Sequence, residues 1–134
     1  NNGRTLTIMD LGRVVLFRRM GVIGAMRERR WAGTIAGASV RYRRRVRMFD
    51  RIEMRSRIVG WDARFTYAEQ SLWRGEECCS HALLRMAITG GRGIVPSADL
   101  AAAMGLPAES PPLPGWVDAW AEADALRPWP PMQD

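Results

Sequence analysis

Residues 36 to 48 read AGASVRYRRRVRM, with an apolar residue at nearly every second step. The even positions are Ala36, Ala38, Val40, Tyr42, Arg44, Val46 and Met48, all apolar but one. Arg41, Arg43, Arg45 and Arg47 take odd positions. Alternation of this kind marks a strand with one face in a core and the other in water. It predicts Val40, Tyr42, Val46 and Met48 pointing inward and Arg41, Arg43, Arg45 and Arg47 pointing outward, because an unpaired guanidinium on a core face is costly. Ile52, Met54, Ser56 and Ile58 repeat the pattern against Glu53, Arg55 and Arg57. Gly60-Trp61-Asp62 reads as a turn or bulge. Phe65–Trp73 and Glu77–Thr89 predict two more strands joined tightly at Gly75-Glu76, and Gly90-Gly91-Arg92-Gly93 ends the sheet.

Upstream of the alternation lies a helical stretch, Asn2–Met20, with Asn2 as its cap. Leu6, Ile8, Met9, Leu11, Val14, Val15, Leu16, Phe17 and Met20 fall on nearly every side of it. A helix apolar all round is expected to be surrounded by protein. Gly21 stops it, and Val22–Arg30 predicts a short second helix with basic residues at its C-terminal dipole. The strands are long compared with the usual five or six residues. Such a sheet, with one apolar face and one buried helix beside it, is expected to curl around that helix. Downstream, Ser97 is expected to cap a helix over Ala98–Met104. Pro107–Pro114 is a linker, and Gly115–Leu126 a last helix before the Pro-rich tail.

The 134 residues suit one domain, 1–134, and 47% hydrophobic with 25% charged residues is ordinary for a globular chain. No uncharged apolar run approaches the ~20 residues of a membrane-spanning helix. The opening Asn1-Asn2-Gly3-Arg4 has neither an initiator Met nor a signal-peptide pattern, so a cytoplasmic protein with a truncated start is expected. All 20 basic residues are Arg. Residues 1–67 carry 16 of them against 5 acids (16 − 5 = +11), and residues 68–134 carry 4 against 9 (4 − 9 = −5). A basic half attracts nucleic acid, anionic lipid or a phosphate-bearing small molecule. The vicinal Cys78 and Cys79 form no disulfide framework, and with His81 as the single His no metal site is expected.

The order of helix and long strands, together with Asn1-Asn2-Gly3-Arg4-Thr5-Leu6 and Asp10-Leu11-Gly12-Arg13, resembles the hot-dog thioesterases of the 4-hydroxybenzoyl-CoA thioesterase type. Asn1 and Asn2 match that family's paired Asn, Asp10 its helix acid and Arg13 its helix Arg. Thr5 stands where the family usually has Tyr. Ile58-Val59-Gly60-Trp61-Asp62 and Pro111-Pro112-Leu113-Pro114-Gly115-Trp116 are similar to the branch typified by thioesterase superfamily member six. The resemblance implies an α+β hot-dog fold, a long antiparallel sheet wrapped around a central helix. It implies a homodimer or dimer of dimers with a shared site, and hydrolysis of an acyl-CoA or acyl-carrier thioester without a further cofactor. The family's N-terminal strand, and its Asp/His segment with the general base, would precede Asn1.

The residues also carry a chemical reading of their own. A helix start presents unpaired N–H groups and partial positive charge, and Gly3 leaves room for close approach. Asn2 and Gly3 can therefore hold the oxyanion of a thioester carbonyl, or simply cap a helix. Asp10 and Arg13, at i and i+3, can pair and close a helix face; the alternative places Asp10 near the substrate pocket at a dimer seam, a catalytic candidate with Asn2 and Gly3. Asn1, Arg13, Arg57 from the Arg stripe and Arg92 in the glycine turn are candidates for binding substrate, the latter two through coenzyme A phosphates. His81 reads as a general base or as a hydrogen-bonded strand residue. The stripe lacks aromatics of its own parity for base stacking, which argues against nucleic acid as the partner. A non-catalytic acyl-CoA or acyl-carrier binding protein is the alternative to the hydrolase.

Overall fold

A computed structural model describes residues 2–133. Helix α1 (Asn2–Arg19) leads, through the left-handed Gly21 (φ 73°), into helix α2 (Val22–Arg29). Strands β1 (Ala32–Tyr42), β2 (Glu53–Trp61), β3 (Thr66–Arg74), β4 (Glu77–Gly90) and the two-residue β5 (Gly93–Ile94) follow. Helices α3 (Ser97–Ala103) and α4 (Gly115–Ala125) complete the chain. The sheet is antiparallel in the order β1-β4-β3-β2, with β5 on the end of β4.

Even-numbered residues of β2, β3 and β4 face α1. Met9 packs there with Ala68, Leu72, Ala82, Leu84 and Met86, ringed by Phe17, Val40, Met54 and Ile58. Gly12 makes this close packing possible, because a Cβ at that position would collide with the Met54 sulfur. The opposite face of the sheet has a core too. Val59, Tyr67 and Leu83 pack there against Val117 of α4, with Phe65, Leu113 and Trp120 around them. The expectation of a single apolar face is thus corrected: α4 and the proline-rich linker cover the second one.

Three further expectations change. The predicted strand over 36–48 begins earlier and ends at Tyr42. β1 and β2 occupy opposite edges of the sheet, so residues 43–52 must cross its end, past the β3–β4 hairpin. Arg43 and Arg44 leave the ladder there by donating their N–H groups to the Cys79 carbonyl at 2.9 and 3.0 Å. Val40 packs inward as expected and Val46 is half-buried, but Tyr42 is 39% and Met48 73% exposed. Helix α1 is also not surrounded within one chain. Thr5, Met9, Gly12 and Leu16 line its sheet side, whereas Leu11, Val14 and Val15 form an exposed strip. Ser97 opens α3 as its first residue rather than capping it, and Pro96 holds the cap position.

Candidate active site

The first turn of α1 lies beneath the 43–48 crossing segment. One cleft of about 320 Å³ is bounded by Asn2 and Thr5 of the helix, Ser80 of β4 and the backbone run Tyr42–Val46. A second, of about 600 Å³, lies between Arg4, Thr5 and Ile8 on one side and Arg45–Met48 on the other. Arginines that alternation alone would place on a strand are thereby gathered around a helix N-terminus, whose N–H groups already favour anions. Arg44 is engaged by Glu77 at 2.8 Å; the side chains of Arg43, Arg45 and Arg47 enter no ion pair among the described residues.

Two turns along, Asp10 pairs with Arg13 as their spacing implies. Arg13 also donates to Oε1 of Gln70 at 3.0 Å. Gln70 is fully buried, and its Nε2 donates to the Met9 carbonyl at 2.9 Å and to Ser56 Oγ at 3.2 Å. Burial lowers the Arg13 pKa, yet two acceptors hold the guanidinium in place. Asp10 and Arg13 stand at one end of a groove of about 530 Å³ that runs between α1 and the edge formed by β1 and α2, past Val14, Ile23 and Ile35. Its far walls, Phe17, Met86 and Ile88, are shared with an almost wholly apolar chamber of about 60 Å³ beneath Leu100, Ala101 and Met104 of α3.

Asn2 and Gly3 therefore lie at one end of this system, and Asp10 with Arg13 midway along it. Gly3 offers its carbonyl to the Thr7 hydroxyl at 3.0 Å. Asn1 lies outside the described residues. Arg57 is on the α4 face of the sheet, bound to Glu69 at 2.5 Å, and Glu69 also holds His81 Nε2 at 2.9 Å. Burial pushes the Glu69 carboxyl up, but the hydrogen bonds from Arg57 and His81 prevail and leave its pKa below the ordinary value. His81 stacks edge-on against Trp116 at 5.6 Å, on the face away from α1. Arg92 sits in the turn after Gly90, beside the Ala32 end of β1, whereas Asn2 shares its cleft with Tyr42 at the other end. These ends are about 34 Å apart at ~3.4 Å per residue.

A family model described as the thioesterase-like superfamily matches residues 1–121. The chain belongs to that superfamily. Its fold is similar to that of YbaW, a probable thioesterase from Escherichia coli, with a TM-score of 0.72 over 78% of this chain and 82% of that one at 15% identity. A thioesterase complexed with coenzyme A and Zn from Thermus thermophilus gives 0.60 over 80% and 82% at 22% identity. The α+β hot-dog fold is the one these superfamily structures share. In sequence, 70 residues are 37% identical to Protein THEM6 of Xenopus laevis and 34% identical to Protein THEM6 of Danio rerio. The match covers 52% of this chain in both cases, and 34% and 35% of those relatives. It thus spans about a third of their length. Among the described residues no helix is long and apolar enough to cross a membrane.

The crossing of 43–48 over α1 was not legible as such, because periodicity describes neighbours in sequence and not the edge each strand takes. The signal that could have found it is Met48-Phe49-Asp50, which breaks the alternation before Arg51 restarts it. Gln70 carried no signal. It is a polar residue in a strand reading like any other.

Proposed function

We propose that the protein hydrolyses an acyl-CoA thioester, in keeping with its superfamily. The supporting observation is the arginine segment laid over the start of α1. Coenzyme A carries phosphates at one end and a thioester at the other. Arg43, Arg45 and Arg47 are placed to pair with the phosphates, while the N–H groups at Asn2 and Gly3 receive the carbonyl oxygen. Water then adds to the carbonyl carbon, negative charge builds on that oxygen, and collapse breaks the carbon–sulfur bond to release a carboxylic acid and the thiol. The proton that the water loses ends on the departing sulfur, so that the thiol leaves neutral. Asp10, in its pair with Arg13, lines the path of the acyl group, which follows the α1 groove toward the apolar chamber.

This role for Arg43, Arg45 and Arg47 shifts the phosphate contacts away from Arg57, which Glu69 already occupies. Arg92 joins the site only if a second copy brings it there. The free thiols of Cys78 and Cys79 suit a reducing compartment such as the cytoplasm. A binding protein without turnover is the second reading. It is favoured by the position of Asp10, eight residues and about 12 Å along the helix from Asn2, too far to serve the oxyanion end directly.

A panel of acyl-CoA esters with thiol release as the readout tests both readings on the full-length protein. We expect turnover of aliphatic esters and a roughly tenfold higher KM, with kcat little changed, for the Arg43→Gln, Arg45→Gln double variant. Saturable coenzyme A binding with no thiol release from any ester would replace the hydrolase with the binding protein.

A further inference from the structure

The crossing segment ends in a turn whose tip, Phe49, the proposed chemistry does not use. The Asp50 N–H donates to the Arg47 carbonyl at 3.2 Å, and the Arg47 N–H donates to Asp50 Oδ2 at 2.8 Å. Arg74 reaches the same oxygen from β3 at 3.2 Å. Held between these two anchors, Met48 stands at the rim of the larger cleft and is 73% exposed, and Phe49 beyond it is 96% exposed. Phe49 has a φ of 73°, a conformation that a bulky side chain adopts only where its surroundings impose it. Its ring lines neither cleft beside α1. An apolar tip is thus displayed by a turn built to hold it out.

The tip stands within a strong positive field. Residues 41–51 contain six arginines against the lone Asp50. Arg43, Arg45, Arg47 and Arg51 are exposed, and their side chains enter no ion pair among the described residues. Exposed basic side chains around a protruding apolar pair match the two layers of an anionic membrane surface, charged headgroups outside and hydrocarbon just beneath.

We propose that this turn docks the protein on an anionic lipid surface, with Met48 and Phe49 entering the headgroup–acyl boundary while Arg51 pairs with lipid phosphates and carboxylates and Arg43, Arg45 and Arg47 contribute only to the positive field around the tip. Two side chains are far short of the ~800 Å² each partner contributes to a stable protein–protein interface. A nucleic acid would engage the guanidiniums, but sheet and groove readers supply flat aromatic platforms, and this tip offers a thioether and one ring on a convex turn. Docking in this way would hold the start of α1 at the surface where acyl chains reside, and it stands whether or not the chain hydrolyses a thioester.

The test is co-sedimentation of the protein with vesicles of phosphatidylcholine, with and without about a third phosphatidylserine. Single-stranded RNA binding is followed in parallel by anisotropy. We expect retention on the phosphatidylserine vesicles that falls with added salt, and little on phosphatidylcholine alone. Arg51→Gln should weaken it about fivefold. Phe49→Ser should weaken it about tenfold, with the melting temperature unchanged and any thioesterase activity retained. Equal retention on both lipids, no retention, or an unaffected Phe49→Ser variant would overturn the proposal. RNA bound more tightly than the anionic vesicles would also overturn it and assign the surface to nucleic acid.

Discussion

Gln70 fastens the central helix to the sheet at a point where main-chain and side-chain chemistry meet. Its amide nitrogen donates to a carbonyl in the middle of α1, and its oxygen accepts a hydrogen bond from Arg13, itself held by Asp10. Polar groups buried this fully are stabilising only while every partner is present. In the Gln70→Leu variant the half-buried Arg13 guanidinium would lose one acceptor, and the Met9 carbonyl and Ser56 one donor each. We expect a loss of about 2 kcal/mol in urea unfolding, since hydrogen bonds to charged groups contribute about 1.5–3 kcal/mol. A change below about 0.5 kcal/mol would show that Arg13 finds another partner as readily. The Asp10–Arg13 half of this network was legible from i,i+3 spacing. Its third member, 57 residues from Arg13, follows only from the pairing of β2 with β3.

At the scale of elements, the two stretches that carried the similarity to one branch of the family, 58–62 and 111–116, prove to be neighbours. The backbone bulges between Ile58 and Gly60 in β2, and Ser110 of the proline-rich linker docks against the bulge. The Trp61 N–H donates to Ser110 Oγ at 2.8 Å, and the Trp61 indole donates to the Ala108 carbonyl at 3.1 Å. A Cβ on Gly60 would stand 2.6 Å from Ser110 Oγ and 2.7 Å from Leu113. Gly60→Ala should therefore push the linker off the sheet and cost about 2 kcal/mol, in the range for overpacked sites. Protease cleavage within 107–114 should accelerate in parallel, and unchanged cleavage would show that the linker follows the bulge without strain. Why Gly and Pro recur here was not readable in advance, since each stretch taken alone looks like a turn and a linker. Strand periodicity located β3 and β4 to within a residue because their side chains do alternate between two environments, whereas β2 runs past the expected end at Ile58, through the bulge, to Trp61. It failed beyond Tyr42, where the chain crosses the end of the sheet and keeps arginines outward on every side. It also hid the second core, because Tyr67 and Leu83 occupy positions that a one-faced sheet would leave to water.

At the scale of the molecule, the exposed flank of α1 and the free edge of β1 lie on one side. Leu11 and Val14 are 64% and 56% exposed, and Ile23 and Ile35 continue the apolar surface across the groove onto α2 and β1. A long edge strand with unpaired N–H and C=O groups next to such a surface is an invitation to pair with another chain. We therefore expect a homodimer in which β1 pairs antiparallel with β1 of a second copy and the two α1 flanks cover each other. This geometry makes a specific demand. Antiparallel pairing sets the Tyr42 end of one strand beside the Ala32 end of the other, so the Asn2 cleft of one copy would meet the Arg92 turn of its twin. The two candidate groups that stand farthest apart in one chain would then share a site. Light scattering should give 2 × 15.1 = 30.2 kDa at micromolar concentration, and Val14→Asp together with Ile35→Asp should return it to 15.1 kDa. Arg92→Gln should raise KM for coenzyme A thioesters in the dimer, and mixing it with an Arg45→Gln chain should restore part of the affinity, because one of the two seams would then carry both arginines. A mass of 15.1 kDa for the unaltered protein would remove the pairing. A dimer in which mixing restores nothing would keep the pairing and separate Arg92 from the site.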